Sequence, residues 1–298
     1  MKILLFGANG QVGHELRRSL APLAEVVCTT RTGLVADGSA CEAADFDRPA
    51  DLPGLVARIA PDVVVNAAAY TAVDRAEDEP EAAFRANAEA PGAIAAACAT
   101  RDIRLLHYST DYVFDGTATR PYREDDLTSP LGVYGASKLA GEQAIQASGA
   151  RHMIFRTAWV YAAHGNNFLK TMLRLARERD ELRVVVDQVG TPTPASLIAE
   201  VTAVAVSKPP MHSGLWHLTA AGSTTWHGFA EAIFTRAVAA GLLPKAPRVL
   251  PISSADYPTR ARRPAYSCLD TTRLRDDFAI ALPEWELVLA EVLAGREA

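Results

Sequence analysis

A tyrosine and a lysine four positions apart are well suited to proton transfer. Tyr134 and Lys138 lie in the segment YGASK, and on a helix this spacing places both side chains on one face, about 6 Å apart along the axis. A tyrosine hydroxyl has a pKa of about 10, so it releases its proton reluctantly near neutral pH. A neighbouring ammonium group stabilises the phenolate and lowers that pKa. The spacing therefore makes Tyr134 a candidate general acid, with Lys138 as its supporting cation.

Thr110 is the third candidate for the same site. It follows a short apolar run, 104–109, that is typical of a buried strand. Ligands of open α/β sheets bind beyond the carboxyl ends of the strands, so Thr110 could hydrogen-bond both a substrate oxygen and the Tyr134 hydroxyl. A threonine that only caps a turn is the alternative. Together the hydroxyl, tyrosine and lysine indicate carbonyl reduction by hydride transfer, or its reverse.

A glycine-rich turn near the start of the chain is a candidate site for the phosphates of a dinucleotide. It joins an apolar run, 3–6, to an amphipathic segment, 12–20, with the spacing G-x-x-G-x-x-G, which is typical of short-chain dehydrogenases. The candidate cofactor-binding residues here are Gly7, Gly10, Gln11, Val12 and Gly13. Glycines let the backbone turn sharply and approach a pyrophosphate, and the helix that follows offers open N–H groups to the anion. A turn that binds no ligand is the alternative.

The segment after the second predicted strand, 25–29, bears on which dinucleotide binds. A carboxylate there would bind the ribose 2′-hydroxyl of NADH, but Arg31 lies in this region and no acidic residue occurs before Asp37. An arginine can pair with a 2′-phosphate. Arg31 therefore favours NADPH, with NADH still possible, and a solvated loop arginine is the alternative.

Two further segments are candidates for the cofactor site. Asp45 and Phe46 could close over the adenine, with the carboxylate near its amino group and the ring beside it. The strand 62–66 leads into small residues and then into Ala69, Tyr70 and Thr71. Small side chains there would leave room for the cofactor, although alanines also suit a close contact between a helix and a sheet.

The order of the predicted elements indicates how these residues are positioned. Short apolar strands alternate with helical segments, which is typical of βαβ units. The predicted strands are 3–6, 25–29, 62–66, 104–109 and 152–156; the predicted helices are 12–20, 52–59, 81–100 with a kink at Pro91, 131–147, 167–178, 196–206, 226–240 and 284–293. The fold class predicted is α/β, a Rossmann-type doubly wound parallel sheet.

The pattern also predicts how the chain is divided. Residues 1–160 are expected to form an NAD(P)-binding domain. Residues 161–298 are expected to form mainly a smaller substrate-binding lobe, with some elements returning to the sheet. Within that lobe, 244–263 is rich in proline and arginine and is expected to be rich in loops and to form part of the site.

The composition argues against several other classes of protein. The 298 residues include 30 basic and 35 acidic side chains, a formal net charge of −5, whereas nucleic-acid binding proteins usually carry a basic excess. No apolar run is long enough for a membrane span or a secretion signal. The four cysteines show no metal-ligand spacing, which favours free thiols in a reducing compartment. We therefore expect a cytoplasmic protein with no nucleic-acid partner, no membrane partner and no metal site evident from the residues.

Several long segments carry a specific resemblance to a known family. They are 1–7, 10–13, 61–74, 107–114, 129–131, 133–135, 154–161, 165–168 and 261–264. In these segments the chain resembles the dTDP-4-dehydrorhamnose reductases, within the extended short-chain dehydrogenase/reductase superfamily. The resemblance implies reduction of the 4-keto group of dTDP-4-dehydro-β-L-rhamnose to give dTDP-L-rhamnose. Hydride would pass from NAD(P)H to C4 of the sugar, and Tyr134 would protonate the new alkoxide.

The resemblance also implies which residues contact the nucleotide-sugar substrate. Thr110 and Asp111 would contact the sugar, and Trp159 would stack on it. Arg262 and Arg263 would hold the diphosphate, since guanidinium groups bind such oxygens in pairs. The alternatives are an ordinary core aromatic for Trp159 and solvated surface arginines for the other two.

A metal ion and a dimer are implied by the resemblance only. Some members of the family are described as magnesium-dependent dimers with acidic residues at the subunit contact. Glu15 fits such a site, but the segment 194–197 lacks the acidic residue expected there. Mg²⁺ and a homodimer are thus possible on the resemblance alone.

Two other functions remain open at this point. Nucleotide-sugar dehydratases place Asp-Glu after the catalytic threonine, whereas here Asp111 is followed by Tyr112, so an epimerase or dehydratase would lack its second carboxylate. The other alternative is a non-catalytic NADP-binding regulatory subunit, similar to the β subunit of methionine adenosyltransferase. Such a subunit would not need the intact pair of Tyr134 and Lys138.

Overall fold

A parallel sheet of seven strands forms the centre of the computed structural model, which describes residues 1–208 and 212–295. The strands are β1 (Lys2–Phe6), β2 (Glu25–Thr30), β3 (Glu42–Ala43), β4 (Val63–Asn66), β5 (Arg104–Thr110), β6 (His152–Thr157), β7 (Val160–Tyr161), β8 (Glu181–Val185), β9 (Val189–Gly190), β10 (Thr193–Pro194), β11 (Gly214–His217), β12 (Thr224–Thr225) and β13 (Arg248–Ile252). The helices are α1 (Gln11–Leu20), α2 (Leu52–Ile59), α3 (Val73–Ala76), α4 (Pro80–Phe84), α5 (Ala90–Ala99), α6 (Val133–Ala147), α7 (Phe168–Glu178), α8 (Ala195–Ser207), α9 (Trp226–Ala239), α10 (Thr272–Phe278) and α11 (Trp285–Leu293).

The order of the strands creates a crevice at one edge of the sheet. The central sheet has the order β11-β6-β5-β4-β1-β2-β3, and all neighbouring strands are parallel. The chain proceeds outward from β1 to β3 and then returns to β4 on the other side of β1, so the direction of winding reverses between β1 and β4. Ligands of such sheets bind at this reversal, beyond the carboxyl ends of the strands. The predicted Rossmann-type doubly wound sheet is confirmed.

Continuous burial explains why β1 and β4 are largely apolar. Val63, Val64 and Val65 of β4 are at most 1% exposed, as are Leu4 and Leu5 of β1. Helices cover both faces of the sheet, so the side chains of neighbouring positions are buried alternately on one face and on the other. The short apolar runs in the sequence are therefore strands and not fragments of helices.

The segment 244–263 contains a strand that its sequence did not predict. Arg248–Ile252 forms β13, which pairs in parallel with β8. The prediction of a loop was wrong for these five residues. Pro251 weakens any strand prediction because proline cannot donate to a ladder, and the pairing partner lies far away in the sequence. The strand β11, also from the second half of the chain, pairs with β6 at the edge of the central sheet.

The long helix predicted over 81–100 is interrupted by a π-helical turn at Arg85–Glu89, between α4 and α5. The π-helical turn directly precedes Pro91, the residue at which a kink was expected. Pro91 has no N–H to donate to the carbonyl of Asn87, so the regular ladder cannot continue there. That carbonyl instead faces Gly141 of α6, where a Cβ atom would lie only 2.0 Å from it. The interruption fixes the position of Asn87 against α6.

Buried and capped contacts hold α6 in place. Arg156 of β6 makes a two-pronged ion pair with Glu142 of α6 at 2.9 and 2.7 Å, and both side chains are at most 4% exposed. At the start of the helix, the N–H of Val133 donates to Glu77 Oε1 at 2.8 Å. Removing one partner of such a buried pair typically costs about 3–5 kcal/mol. The helix that carries Tyr134 and Lys138 is therefore firmly anchored.

Two expectations from the composition concern membrane-spanning helices and the cysteines. None of the helices in the described ranges has the length and apolar character needed to cross a bilayer. All four cysteines are free, with Cys98 and Cys268 buried and Cys28 and Cys41 half-buried. Residues 209–211 and 296–298 of the predicted second lobe lie outside the described residues.

Candidate active site

A cavity of about 1030 Å³ lies along the carboxyl ends of the central strands. It brings together most of the residues predicted from the sequence: Gly7, Gly10, Gln11, Val12, Arg31, Phe46, Ala69, Tyr70, Thr71, Thr110, Asp111, Tyr134, Lys138 and Trp159. The glycine turn and the Tyr-Lys pair thus share one space. Four predicted residues, Gly13, Asp45, Arg262 and Arg263, are not among the described residues that line it.

Close backbone contacts at the glycine turn explain why these positions lack side chains. Gly7 has a φ angle of +82°, and a Cβ atom there would lie 2.6 Å from the backbone nitrogen of Ala68. A Cβ atom at Gly13 would lie 2.0 Å from the carbonyl oxygen of Gly7. Gly13 therefore packs α1 against the turn instead of lining the cavity. Since Gly10 caps α1 without a side chain, the N–H groups of the first turn remain open to a phosphate.

Arg31 lines the cavity and lies close to two carboxylates. Its side chain is 69% exposed and lies 3.6 Å from Asp45 and 3.4 Å from Asp47. Asp45 was predicted to contact the adenine, but in the structure it contacts Arg31. Phe46 is buried edge-on against Phe6, with 5.6 Å between ring centroids, and it forms part of the cavity wall.

Thr110, Asp111 and Tyr134 form one group at the end of β5. The Thr110 hydroxyl donates to Asp111 Oδ1 at 3.0 Å and accepts from the N–H of Tyr112 at 3.2 Å. The Tyr134 side chain is half-buried; this burial raises its pKa, and a hydrogen bond with Thr110 opposes the increase. Tyr112 contacts the Tyr134 ring edge-on, with the centroids 5.6 Å apart.

Lys138 has different partners from those expected. Its Nζ donates to the carbonyl oxygen of Tyr108 at 2.6 Å and lies 3.3 Å from His107 Nε2. Burial lowers the pKa of Lys138 to about 8, although the charge of Glu142 opposes this change. The expected lowering of the Tyr134 pKa by Lys138 is not found, because desolvation by burial dominates there. Each group of the pair is thus shifted toward its neutral form.

A buried chain of hydrogen bonds next to Lys138 was missed by the sequence analysis. The N–H of Ala68 donates to Asn66 Oδ1 at 3.1 Å, which turns the Nδ2 of that amide toward His107 Nδ1, also at 3.1 Å. Burial and the nearby Lys138 hold the pKa of His107 well below its usual value, so the ring is neutral. With Nδ1 beside the Asn66 amide, Nε2 faces Lys138 Nζ at 3.3 Å. The signal in the sequence was a polar residue inside each of two buried strands.

Asn87 is a second residue that the sequence analysis did not single out. Its side chain accepts from the N–H of Tyr70 at 2.8 Å and donates to the Tyr70 carbonyl and to Ser137 Oγ, both at 3.0 Å. It is completely buried, so these bonds fix the loop that carries Tyr70 relative to α6. A lone amide in an alanine-rich helix was the signal for this role.

Trp159 is held in an unusual backbone conformation by its neighbours. Its φ angle is +47°, and its indole stacks on Trp226 with 3.6 Å between ring centroids and 5° between ring planes. Gly190 makes room beside the ring, since a Cβ atom there would lie 2.4 Å from the indole. The ring is half-buried and lines the cavity. Trp226 and Gly190 therefore set the orientation of Trp159.

The arginine pair is placed differently from its predicted position. Arg263 donates to Asp74 Oδ2 at 2.8 Å and to the Tyr112 hydroxyl at 3.2 Å. Its guanidinium group therefore forms a salt bridge with a carboxylate and also holds the hydroxyl group of Tyr112. Arg262 is exposed. The prediction that both arginines hold a diphosphate receives no support from this arrangement.

The residues around Glu15 do not fit the magnesium site that the resemblance implied. Glu15 is 3% exposed; its Oε1 lies 2.7 Å from His164 Nε2, and its Oε2 lies 3.4 Å from Arg18. Mg²⁺ is bound by oxygen atoms and retains several water molecules. An imidazole and a guanidinium group are poor neighbours for such an ion, and no step of the chemistry below uses one.

Two residues that line the cavity have buried hydroxyl groups without a partner in the described part of the chain. Ser109 Oγ and Thr157 Oγ1 are buried and have no hydrogen-bond partner among the residues that the structure describes. Both residues line the cavity. Buried polar groups are nearly always hydrogen-bonded in native proteins, whereas these two hydroxyls are polar groups in the wall of the cavity that the described residues leave unsatisfied.

Comparison with known proteins identifies the family. The family model described as "RmlD substrate binding domain" matches residues 1–297. The dTDP-4-dehydrorhamnose reductase of Shigella flexneri is 48% identical to this chain, over 98% of the chain and 97% of that protein. The reductase of Burkholderia thailandensis is 50% identical over 96% of the chain and 95% of that protein. This chain belongs to the dTDP-4-dehydrorhamnose reductase family.

Solved structures of this reductase family have the same fold over their full length. A dTDP-4-dehydrorhamnose reductase from Clostridium acetobutylicum superposes with a TM-score of 0.90 at 35% identity, covering 100% of both chains. The reductase from Bacillus anthracis, solved in complex with NADP, superposes with a TM-score of 0.89 at 33% identity, covering 99% of both chains.

The burial of Asp111 predicts an unusual dependence of stability on pH. Burial raises the pKa of this carboxyl from 3.8 to about 6. The folded chain therefore binds more protons than the unfolded chain between about pH 4 and pH 6, and stability falls as the pH rises through that range. Replacing Asp111 with Asn should raise the free energy of unfolding at pH 7 by at most about 3 kcal/mol.

Urea unfolding of the wild type and Asp111→Asn at several pH values from 4 to 7.5 measures this effect. Asp115→Asn is the matched control, because hydrogen bonds from Thr117 and Tyr122 lower the pKa of Asp115 and its loss should destabilise the chain near neutral pH. If Asp111→Asn is less stable than the wild type at pH 7, the buried carboxylate is not a source of strain.

Proposed function

We propose that this chain reduces the 4-keto group of dTDP-4-dehydro-β-L-rhamnose to an alcohol, giving dTDP-L-rhamnose, with a nicotinamide dinucleotide as the reductant. The observation that carries this proposal is a single cavity lined by both the phosphate turn and the group of Thr110 and Tyr134. It occurs in a chain that is 48% identical, over 98% of its length, to a curated dTDP-4-dehydrorhamnose reductase.

The reduction needs a proton donor beside the ketone oxygen. The nicotinamide, when bound, supplies the hydride that adds to C4 of the sugar. Tyr134 donates its hydroxyl proton to the oxygen as the carbon–oxygen double bond becomes single, so the ketone becomes a secondary alcohol and the tyrosine a phenolate. Because burial raises the pKa of Tyr134, the proton is in place before the reaction begins. The hydrogen bond to Thr110 positions the donor. Thr110 would stabilise the phenolate by turning its hydroxyl proton from Asp111 Oδ1 to the Tyr134 oxygen.

Lys138 has two roles in this proposal. Its ammonium group would hold the ribose hydroxyls of the cofactor. It would also stabilise the phenolate once Tyr134 has given up its proton, although it does not lower the pKa of Tyr134 beforehand. Burial disfavours the positive charge of Lys138, and the charge of Glu142 opposes that effect. A lysine whose pKa is lowered to about 8 can return a proton to the site after turnover more readily than an ordinary one.

The two halves of the chain have separate tasks in this proposal. We assign the dinucleotide to residues 1–160 and the sugar nucleotide mainly to residues 161–298. The second half shapes the cavity wall around Tyr134 through two contacts. Trp226 stacks on Trp159, and Arg263 donates a hydrogen bond to the hydroxyl of Tyr112. Thr110 and Asp111 remain the proposed contacts to the sugar. A homodimer, a cytoplasmic location and the absence of a nucleic-acid partner remain predictions.

An assay with the purified full-length chain tests the proposal. The chain is incubated with dTDP-4-dehydrorhamnose and either NADPH or NADH, with EDTA present, and the sugar product is identified by mass spectrometry. We expect one dinucleotide to be oxidised for each dTDP-L-rhamnose formed, and faster with NADPH. Loss of water or epimerisation without oxidation of the dinucleotide would instead indicate a dehydratase or epimerase. NADPH binding without turnover would indicate a regulatory subunit.

Removing the proton donor should abolish most turnover without loss of cofactor binding. We expect Tyr134→Phe to lower kcat by about 10²–10⁴, the usual contribution of a positioned general acid, while the dissociation constant for NADPH changes little. Steady-state kinetics and fluorescence titration with NADPH measure the two effects. Tyr257→Phe is the control, because Tyr257 is 61% exposed and does not line the cavity. A Tyr134→Phe enzyme with normal kcat contradicts the assigned role.

The preference for NADPH should depend on Arg31. We expect Arg31→Ala to raise the KM for NADPH about tenfold, because it removes a charge-assisted hydrogen bond to the 2′-phosphate, and to leave the KM for NADH nearly unchanged. Arg58→Ala is a matched control, since Arg58 is similarly exposed and also paired with a carboxylate, that of Glu42. Equal effects of Arg31→Ala on both dinucleotides would show that Arg31 does not contact a 2′-phosphate.

A further inference from the structure

Three side chains with metal-binding atoms meet beside the phosphate turn, and the proposed reduction uses none of them. His14 and Glu15 are neighbours on α1, and His164 lies in the segment 162–167 that follows β7. One ligand atom from each residue lies within 4.8 Å of the other two. Among residues 1–208 and 212–295, this is the only group of three histidine, cysteine, aspartate or glutamate side chains whose ligand atoms lie this close together.

The geometry of the three side chains is close to that of a metal site. His164 Nε2 lies 2.7 Å from Glu15 Oε1, and the rings of His14 and His164 are 4.2 Å apart with 50° between their planes. In a tetrahedral zinc site the ligand atoms lie about 3.3 Å from one another, as follows from metal–ligand distances near 2 Å. Small side-chain rotations therefore suffice to place all three atoms around one ion.

We propose that His14, Glu15 and His164 bind a divalent late transition-metal ion of the zinc type, with water as a fourth ligand. Two imidazoles and one carboxylate are donors that such ions prefer, whereas Mg²⁺ prefers oxygen ligands alone. Glu15 is 3% exposed, so its negative charge requires compensation. Arg18 now contributes to it at 3.4 Å, and its side chain is 50% exposed, so it can turn toward solvent when a metal ion takes over that role.

The position of this site gives the metal a structural role. Gly165 and Asn166 line the cavity, and the amide of Asn167 donates to Gln11 Oε1 at 2.7 Å and to the carbonyl of His164 at 3.0 Å. A metal ion bound to His164 and to α1 would fasten this segment beside the glycine turn. The ion would therefore stabilise the phosphate end of the cavity and would take no part in the reduction.

Metal titration of the full-length chain tests the proposal without relying on the reductase activity. Protein treated with a chelator is titrated with Zn²⁺ by calorimetry, and Co²⁺ is used as a spectroscopic probe of the coordination. We expect one Zn²⁺ per chain, the absorption spectrum of a four-coordinate cobalt site without thiolate bands, and an increase in Tm with Zn²⁺ but not with Mg²⁺. His14→Ala and His164→Ala should each weaken Zn²⁺ binding by at least about tenfold.

Two variants separate metal binding from local packing. His164→Gln retains a hydrogen-bond donor toward Glu15, so it should keep the metal-free Tm and still lose the increase produced by Zn²⁺. His227→Gln is the matched control, because His227 lies 3.3 Å from Glu231 in another histidine–carboxylate pair, and it should bind one Zn²⁺ as the wild type does. Equal Zn²⁺ affinity of the wild type, His14→Ala and His164→Ala overturns the proposal, as does a Tm increase with Mg²⁺ equal to that with Zn²⁺.

Discussion

Desolvation where α6 crosses the carboxyl end of β5 is the constraint on which the site depends. Lys138 is 3% exposed, and the half-buried Tyr134 lies beside the buried Thr110 and Asp111. Low polarity disfavours every charged form there. It raises the pKa values of Tyr134 and Asp111 and lowers that of Lys138. The chain thus holds a phenol and a carboxyl of raised pKa and an amine of lowered pKa in one place, which requires a rigid surrounding structure.

That rigidity comes from polar contacts that are themselves buried. The ion pair of Arg156 and Glu142 fixes α6 to β6, and Asn87 ties the loop at Tyr70 to the same helix. Asn66 orients His107 behind Lys138. Each of these side chains has a specific partner, although Nη1 of Arg156 is buried without one among the described residues, and such partners help buried polar networks to specify one arrangement. The unfavourable desolvation of the groups in the site is thereby offset by favourable hydrogen bonds and ion pairs in the surrounding structure.

The second half of the chain acts on the cavity mainly through support. Trp226 and Gly190 orient Trp159. Arg263 forms a salt bridge with Asp74 and donates a hydrogen bond to the Tyr112 hydroxyl. The segment 162–167 reaches back to Gln11 of the phosphate turn. These contacts link the region after β6 both to the glycine turn and to the surroundings of Tyr134 in one cavity.

The features that the sequence determined are those with a local physical cause. Alternating buried strands and helices, the glycines of the turn and the spacing of Tyr134 and Lys138 follow from neighbouring residues, and they are found as predicted. The features decided by the tertiary structure depend on distant partners or on burial. Arg263 pairs with Asp74, which is 189 positions away in the sequence, and β13 exists because β8 pairs with it. The sign of a pKa shift likewise depends on how many atoms from other elements exclude water, and spacing along one helix cannot reveal that number.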